Sequence, residues 1–224
     1  MANLDARIFT EAKAVAALGC RLAFAFSLGR DSAVMLHLMN RLTDVSAHKF
    51  FTWTHLPRLL PYQVRYLEQV ESKYGISVDV RVDPEDTGSK QAAFVADYLT
   101  KNACDFALFG YRMDESLQRR GMLNKFKDGI DHARRWAYPL RSFTRKTIRA
   151  YAKSERVPLS IEYSTGIINY DMATFRGFNA FVLRHYISEE DYQAAVAMDP
   201  NIEIDYVRAC MSPEVKDIRR VLSG

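Results

Sequence analysis

"AFAFSLGRDSAVMLHLM", residues 23–39, runs from an apolar stretch into a helical pattern through six mostly polar residues. Ala23–Phe26 reads as a buried strand, and the apolar residues from Ala33 onward recur at helical spacing, which predicts a helix over about 31–42. The connection is Ser27-Leu28-Gly29-Arg30-Asp31-Ser32. In an open parallel sheet, ligands sit beyond the carboxyl ends of the strands, at the openings of the following helices. Gly29 lets backbone approach a ligand with no Cβ in the way. The N–H groups of the helix's first turn, aided by its dipole, favour a phosphate. Ser27 and Ser32 add hydroxyls, and Arg30 adds a charge that pairs with phosphate oxygen. Asp31 reads either as a helix-start carboxylate or as a group that orients the loop or meets a metal. The stretch is therefore read as a phosphate cradle. It is neither G-x-x-x-x-G-K-[ST] nor G-x-G-x-x-G.

Outward from this loop the chain alternates. A helix is expected over roughly 5–18 and a strand at "RLAFAF". Aromatics and Thr give "HKFFTWTHL" strand character. A helix over about 61–74 stops at Gly75, "ISVDVRVD" alternates as a strand does, "SKQAAFVADYLTKN" is helical, and "DFALFGYR" is a short apolar strand. Strand and helix in this rhythm predict an α/β fold with a mostly parallel sheet and right-handed crossovers. Beyond Arg112 the pattern loosens, and "DESLQRRGMLNKFKDG" reads as a helix or a loop. "FTRKTIRAYAKSERVP" is a clearer helix, capped by Thr144 and stopped by Pro158. The remainder is mostly helical. Met35 and His37 fall on the packed face of the first helix after the loop, and Trp136 and Tyr138 read as core aromatics in preference to a base-stacking pair.

With 48% hydrophobic and 26% charged residues among 224, the chain has the profile of an ordinary globular protein able to bury its own core. Its net charge is only +4, but residues 112–156 hold 13 Lys or Arg against 5 Asp or Glu. Such a strip points to an anionic ligand or to a solvated helix face. Cys20, Cys104 and Cys210 lie far apart, with no C-x-x-C, so neither a zinc site nor an iron–sulfur cluster nor a disulfide framework is expected. The N-terminal "MANLDARIFTEAKAVAALG" mixes charges into its apolar positions, which is an amphipathic helix and not a signal peptide. No membrane association is expected, and the location is expected to be cytoplasmic.

The loop "FSLGRDSAVMLHL" resembles the S-x-G-x-D-S pyrophosphate loop of the ATP pyrophosphatase superfamily, and closely that of the PAPS reductase and ATP sulfurylase small-subunit family. Two later stretches resemble the family in order and spacing. "DFALFGYRMDESLQRRGML" matches its Gly-x-Arg-x-Asp-Glu segment at Gly110, Arg112, Asp114 and Glu115, with Arg119 or Arg120 after it. "YPLRSFTRKTIRAYAKSERVPLSIEY" matches at Pro139, Leu140, Phe143, Tyr151, Pro158 and Tyr163.

The resemblance implies a five-stranded, mostly parallel sheet of the adenine nucleotide alpha hydrolase type. The nucleotide-binding domain is expected over 1–165, and the mostly helical remainder is expected as a C-terminal extension over 166–224 packed on the same domain. The resemblance also implies ATP with Mg²⁺ as the ligand, cleavage between the α and β phosphates, and transfer of AMP to an anionic acceptor. Ser27, Leu28, Gly29, Arg30, Asp31 and Ser32 would hold the nucleotide, with Asp31 and Arg112 closest to the chemistry. Arg112, Asp114, Glu115, Arg119 and Arg120 would face the acceptor. Nucleic acid is one acceptor class, and a partner subunit or a second copy of the chain is a further expectation.

Three departures bear on this. Arg30 stands where the family usually has Lys, which keeps the charge but changes its geometry. An Asp-Thr-Gly-like stretch reads Trp53-Thr54-His55 here. The tail "RACMSPEVKDIRRVLSG" lacks the Glu-Cys-Gly-Leu-His of the family's sulfonucleotide reductases, so Cys210 reads equally as a small apolar residue or a nucleophile. Reduction of a sulfonucleotide and a nucleotide-binding subunit without turnover stand as the competing functions.

Overall fold

The computed structural model describes residues 9–54, 56–82, 88–163 and 178–212. The start of the N-terminal helix, His55, the 165/166 boundary and the tail beyond 212 lie outside the described residues. Among the described residues, six strands run as β1 (Leu22–Ala25), β2 (Lys49–Thr54), β3 (Val78–Val82), β4 (Phe106–Leu108), β5 (Ile130–Asp131) and β6 (Trp136–Ala137). They form one sheet in the order β3-β2-β1-β4-β6-β5. β1 is parallel to both β2 and β4, and β4 is parallel to β6. Only two residues long, β5 lies antiparallel on β6 and is the addition to the expected five strands. Gly129, at φ +76°, makes the turn into it, a conformation that favours glycine.

β1 is buried along its whole length, as an all-apolar central strand must be. Its start is tied to both neighbours. The Leu22 N–H donates to Nδ1 of His48 at 3.3 Å, and the Arg21 N–H donates to the Asp105 carboxylate at 3.0 Å. The order places β1 between β2 and β4, and the chain proceeds to one side through β2 and β3 before returning to the other through β4. That reversal opens a crevice at the carboxyl ends of β1 and β4.

The helices are α1 (Thr10–Ala16), α2 (Arg30–Asn40), α3 (Pro61–Tyr74), α4 (Gly88–Lys101), α5 (Leu117–Leu123), α6 (Arg145–Ser154), α7 (Phe178–Val182), α8 (Glu189–Met198) and α9 (Asn201–Met211). Of the stretch that read as helix or loop, Leu117–Leu123 is helix, capped by the Ser116 hydroxyl, and a string of turns follows. Thr144 caps α6 and Ser188 caps α8, each accepting from the backbone N–H three residues on. Met35 is fully buried, and His37 is half-buried with its Nδ1 3.0 Å from the Tyr74 hydroxyl. Trp136 and Tyr138 are core residues.

Two compact units divide the chain. The first takes in Met1–Trp53, Leu67–Arg81 and Glu85–Leu159, and the second Thr54–Tyr66, Val82–Pro84 and Ser160–Gly224. The first unit's core includes Phe51, Tyr98, Phe109, Trp136 and Tyr138 beside the small Ala23, Ala25 and Ala107. In the second, Leu60, Tyr62, Leu183, Tyr192 and Ile202 pack together. There α7 continues as a π-helical turn, Leu183–Ile187, and the fully buried Asp191 accepts the Tyr62 N–H at 2.9 Å. Among the described residues no helix is long and apolar enough to cross a membrane.

Burial is the largest cause that lowers the basicity of both His37 and His48. Lys73 and Arg41 lower His37 further against the pull of Glu155, and Asp44 and Arg21 act in opposite senses on His48. The neutral rings are thus favoured by the fold. Stability is then fully present above the ordinary histidine value of 6.5 and falls as pH drops below it, toward the lowered folded values. His48→Asn keeps an acceptor for the Leu22 N–H without the titration. Urea unfolding on either side of pH 6.5 should show a smaller acid loss in this variant than in the parent.

Candidate functional site

The residues from Ser27 to Ser32 leave β1 and open α2 at the crevice between β1 and β4. The Ser32 hydroxyl donates to the Gly29 carbonyl at 2.8 Å, and the Ser27 and Ser32 hydroxyls are 3.2 Å apart. Gly29 stands at the N-cap in an extended conformation, and no side chain caps this helix. Orphan N–H groups of a first turn are a ready-made seat for an anion. Leu28 adopts φ +62°, a left-handed conformation that costs a non-glycine residue about 1–2 kcal/mol. Its buried side chain anchors the bend. Nothing in the sequence pattern marks Leu28 for that conformation.

The partner loop leaves β4 through Gly110-Tyr111-Arg112. A Cβ at Gly110 would lie 3.3 Å from the Asp31 carbonyl carbon and from the Ser32 nitrogen, so this glycine packs directly on the backbone of the first turn of α2. Two residues on, Arg112 is 4% exposed. Its Nε donates to Asp31 Oδ2 at 3.0 Å, with Nη2 of the same guanidinium 2.9 Å from that oxygen. Nη1 donates to Asp114 Oδ2 at 3.2 Å, and Nε lies 3.8 Å from Glu115. Asp114 also accepts the Arg145 N–H at the start of α6. A buried guanidinium needs this number of carboxylates, because a charge taken out of water is tolerated only when paired and hydrogen-bonded.

The remaining cations differ in placement. Arg30 is mostly buried, its Nε 3.9 Å from Asp31 Oδ1. Arg119 lies 3.6 Å from Glu115, with its guanidinium 3.4 Å above the Tyr111 ring. Arg120 is exposed on α5, and no ion pair holds it among the described residues. Burial raises the Glu115 carboxyl above its ordinary 4.5, with Asp31 adding to the rise and Arg112 and Arg119 opposing it. The structure therefore brings Ser27, Gly29, Arg30, Asp31, Ser32, Arg112, Asp114, Glu115 and Arg119 into one cluster and leaves Arg120 at its margin. Tyr111, the platform under Arg119, carried no sequence signal. Asp31 Oδ1 is buried and makes no hydrogen bond among the described residues.

The phosphoadenosine phosphosulfate reductase domain family model matches residues 21–169, which contain this whole cluster. None of the curated proteins matches the chain. Three solved structures are similar in fold, each with a TM-score of 0.50. They are the U34-tRNA thiolase NcsA of Methanococcus maripaludis with its [4Fe-4S] cluster (16% identity, covering 87% of this chain and 78% of that one), the NH3-dependent NAD synthetase of Campylobacter jejuni (12%, covering 92% and 94%), and the FMN adenylyltransferase of Candida glabrata with FMN and an ATP analogue (15%, covering 65% and 51%).

The thiolase corrects one expectation. The spacing of Cys20, Cys104 and Cys210 excluded an iron–sulfur cluster in the sequence reading, yet a chain of similar fold carries one. Spacing is a poor guide because a fold gathers cysteines from segments distant in sequence. Among the described residues no three His, Cys, Asp or Glu stand close enough to hold a metal ion.

Two glycines test the packing. Gly110→Ala forces its methyl onto backbone that cannot swing away, and should lower the unfolding free energy by about 1–3 kcal/mol. Gly121→Ala, inside α5 with open space around it, should raise it by about 0.5–1 kcal/mol. Urea titration of both variants beside the parent measures the contrast.

Proposed function

The chain belongs to the phosphoadenosine phosphosulfate reductase domain family, and from that premise we propose that it binds ATP at Ser27–Ser32, cleaves it between the α and β phosphates and passes AMP to an acceptor. The observation that carries this reading is the uncapped opening of α2 at the switch between β1 and β4, locked from behind by Gly110 and Arg112. Such transfer is mostly positioning and neutralisation of charge on phosphate oxygens, which needs fixed donors more than a reactive side chain. The backbone N–H groups of Asp31 and Ser32, the two serine hydroxyls and Arg30 hold the β and γ phosphates. A nucleophilic atom of the acceptor attacks the α phosphorus, the bond to the bridging oxygen breaks, and pyrophosphate leaves with its charge spread over these donors.

Asp31 acts twice. Oδ2 fixes Arg112, and the buried Oδ1, which makes no hydrogen bond among the described residues, would offer a hard oxygen to the Mg²⁺ that accompanies ATP. Bound there, the ion would screen the phosphate oxygens during transfer. Arg112 is a positioning residue in this scheme, since all of its close partners are carboxylates of the chain itself. The likeness in fold to an adenylyltransferase solved with an ATP analogue supports transfer of AMP. Cys210 has no part in it. Half-buried on α9, it packs against the apolar pair Phe181 and Ala209.

ATP labelled at the α phosphate, incubated with the purified chain and Mg²⁺, should yield AMP or a labelled adduct together with pyrophosphate. ADP and inorganic phosphate as main products would overturn the assignment. Asp31→Ala and Gly29→Val should each weaken ATP binding at least tenfold, about 1.4 kcal/mol, by calorimetry. Cys210→Ser should leave the products and their rate unchanged, and its complete inactivation without unfolding would restore the reductase reading.

A further inference from the structure

Beside the cluster, on the far side of Arg119, lies an open cleft of roughly 720 Å³. Its wall is built from α5, the turns after it and the connection between β5 and β6, and includes Arg119, Met122, Lys125, Phe126, Asp131 and Arg134. The cations outnumber the carboxylate three to one. Asp131 is already committed, because its Oδ1 accepts the Arg134 N–H at 3.1 Å and its Oδ2 lies 3.7 Å from the Arg134 guanidinium. This fixes the arginine at the rim of the cleft without filling the cleft with negative charge.

The arrangement of the two arginines is specific. Arg119 lies 3.4 Å over the Tyr111 ring and Arg134 lies 5.6 Å over the Trp136 ring. A guanidinium restrained beside an aromatic ring is presented to an anion at a reduced entropic cost, and each of these has N–H donors beyond the one nearest its carboxylate. Met122 and Phe126 supply apolar surface, and the Phe126 ring is itself stacked on Tyr138, with centroids 6.0 Å apart and planes at 27°. The volume is that of a small-molecule site. A lone oxyanion would fill a small part of it and leave the apolar wall and the guanidinium planes unused.

We propose that this cleft binds a nucleotide unit, a planar base carrying a phosphate, taken either as a free mononucleotide or as one residue of a single strand. The base lies between the apolar wall and a guanidinium plane, and the phosphate meets Lys125 and the arginine edges. As a binding site the cleft is independent of what happens at Ser27–Ser32. As the seat of the acceptor it rests on the proposed transfer of AMP. Arg119 then joins the two sites, since it lines the cleft and pairs through Glu115 with Arg112.

The test is calorimetric titration of the full chain with its loop first saturated by a non-hydrolysable ATP analogue. The titrants are the four 5′-mononucleotides, a short single-stranded RNA of mixed sequence, and inorganic sulfate. At least one nucleotide titrant should bind saturably and at least tenfold more tightly than sulfate. Equal affinity of mononucleotide and oligonucleotide identifies a free nucleotide as the ligand. Oligonucleotide binding at least tenfold tighter, with a steep dependence on salt, identifies a strand. The doubly reversed variant Lys125→Glu/Arg134→Glu, folded by circular dichroism, should lose at least tenfold. The inference is overturned if neither nucleotide form binds, if sulfate binds as well as they do, or if the double variant binds as the parent does. Gly29→Val separates the two claims: loss of ATP binding with nucleotide still held in the cleft leaves this site standing whatever becomes of the transfer reaction.

Discussion

The Asp31–Arg112 pair is the joint on which this end of the sheet depends. It connects the first turn of α2 to the loop after β4, two segments that meet only because β1 and β4 are neighbours. With Arg112 nearly excluded from solvent, the pair is electrostatically expensive unless the charge is offset and hydrogen-bonded; Asp31 and Asp114 bond it and Glu115 lies 3.8 Å away. The same contacts fix Asp114 at the opening of α6 and Glu115 beside Arg119. The close approach of Gly110 adds a steric restraint to the electrostatic one. The loop is thereby held in one shape from behind, which is the preorganisation that charge stabilisation demands.

The same accounting changes the meaning of the basic strip. Residues 112–156 carry a large positive excess by count, yet its innermost member is neutralised within the cluster. Arg141 likewise pairs with the buried Glu11. The others are mostly exposed, Arg120, Lys125, Lys127, Arg134, Arg145 and Lys146 among them, and of these Arg134 sits over an aromatic ring, as the half-buried Arg119 does. A local charge count reports the sum of structural and ligand-facing cations, and only burial separates them.

Much of the fold was legible because periodicity and punctuation agree along this chain. The helix over 61–74 and the cap at Thr144 each rest on local chemistry that the fold keeps. The loop at Ser27–Ser32 was legible for the same reason: glycine, hydroxyls and a charge are packed into six residues between two apolar patterns. The left-handed Leu28 was not, since leucine there obeys a buried anchor and not its own preference. Nor was the two-residue β5, too short for any alternation to register. The seat of Arg119 on Tyr111 depends on how α5 leans over the loop after β4, a tertiary matter with no period to read.

The pairing of β1 with β4 also governs the order in which the molecule comes into being. Leu22 finds Phe106 and Asp31 finds Arg112 across some eighty residues of intervening chain, so neither contact is local. Contacts of that span form late, because loop closure must precede their reward. During synthesis from the N-terminus, a chain grown only as far as β3 already contains the whole phosphate loop but not Gly110 or Arg112. The nascent cradle therefore lacks the steric and electrostatic backing of the finished one, and it acquires that backing only when the sheet closes around its central strand.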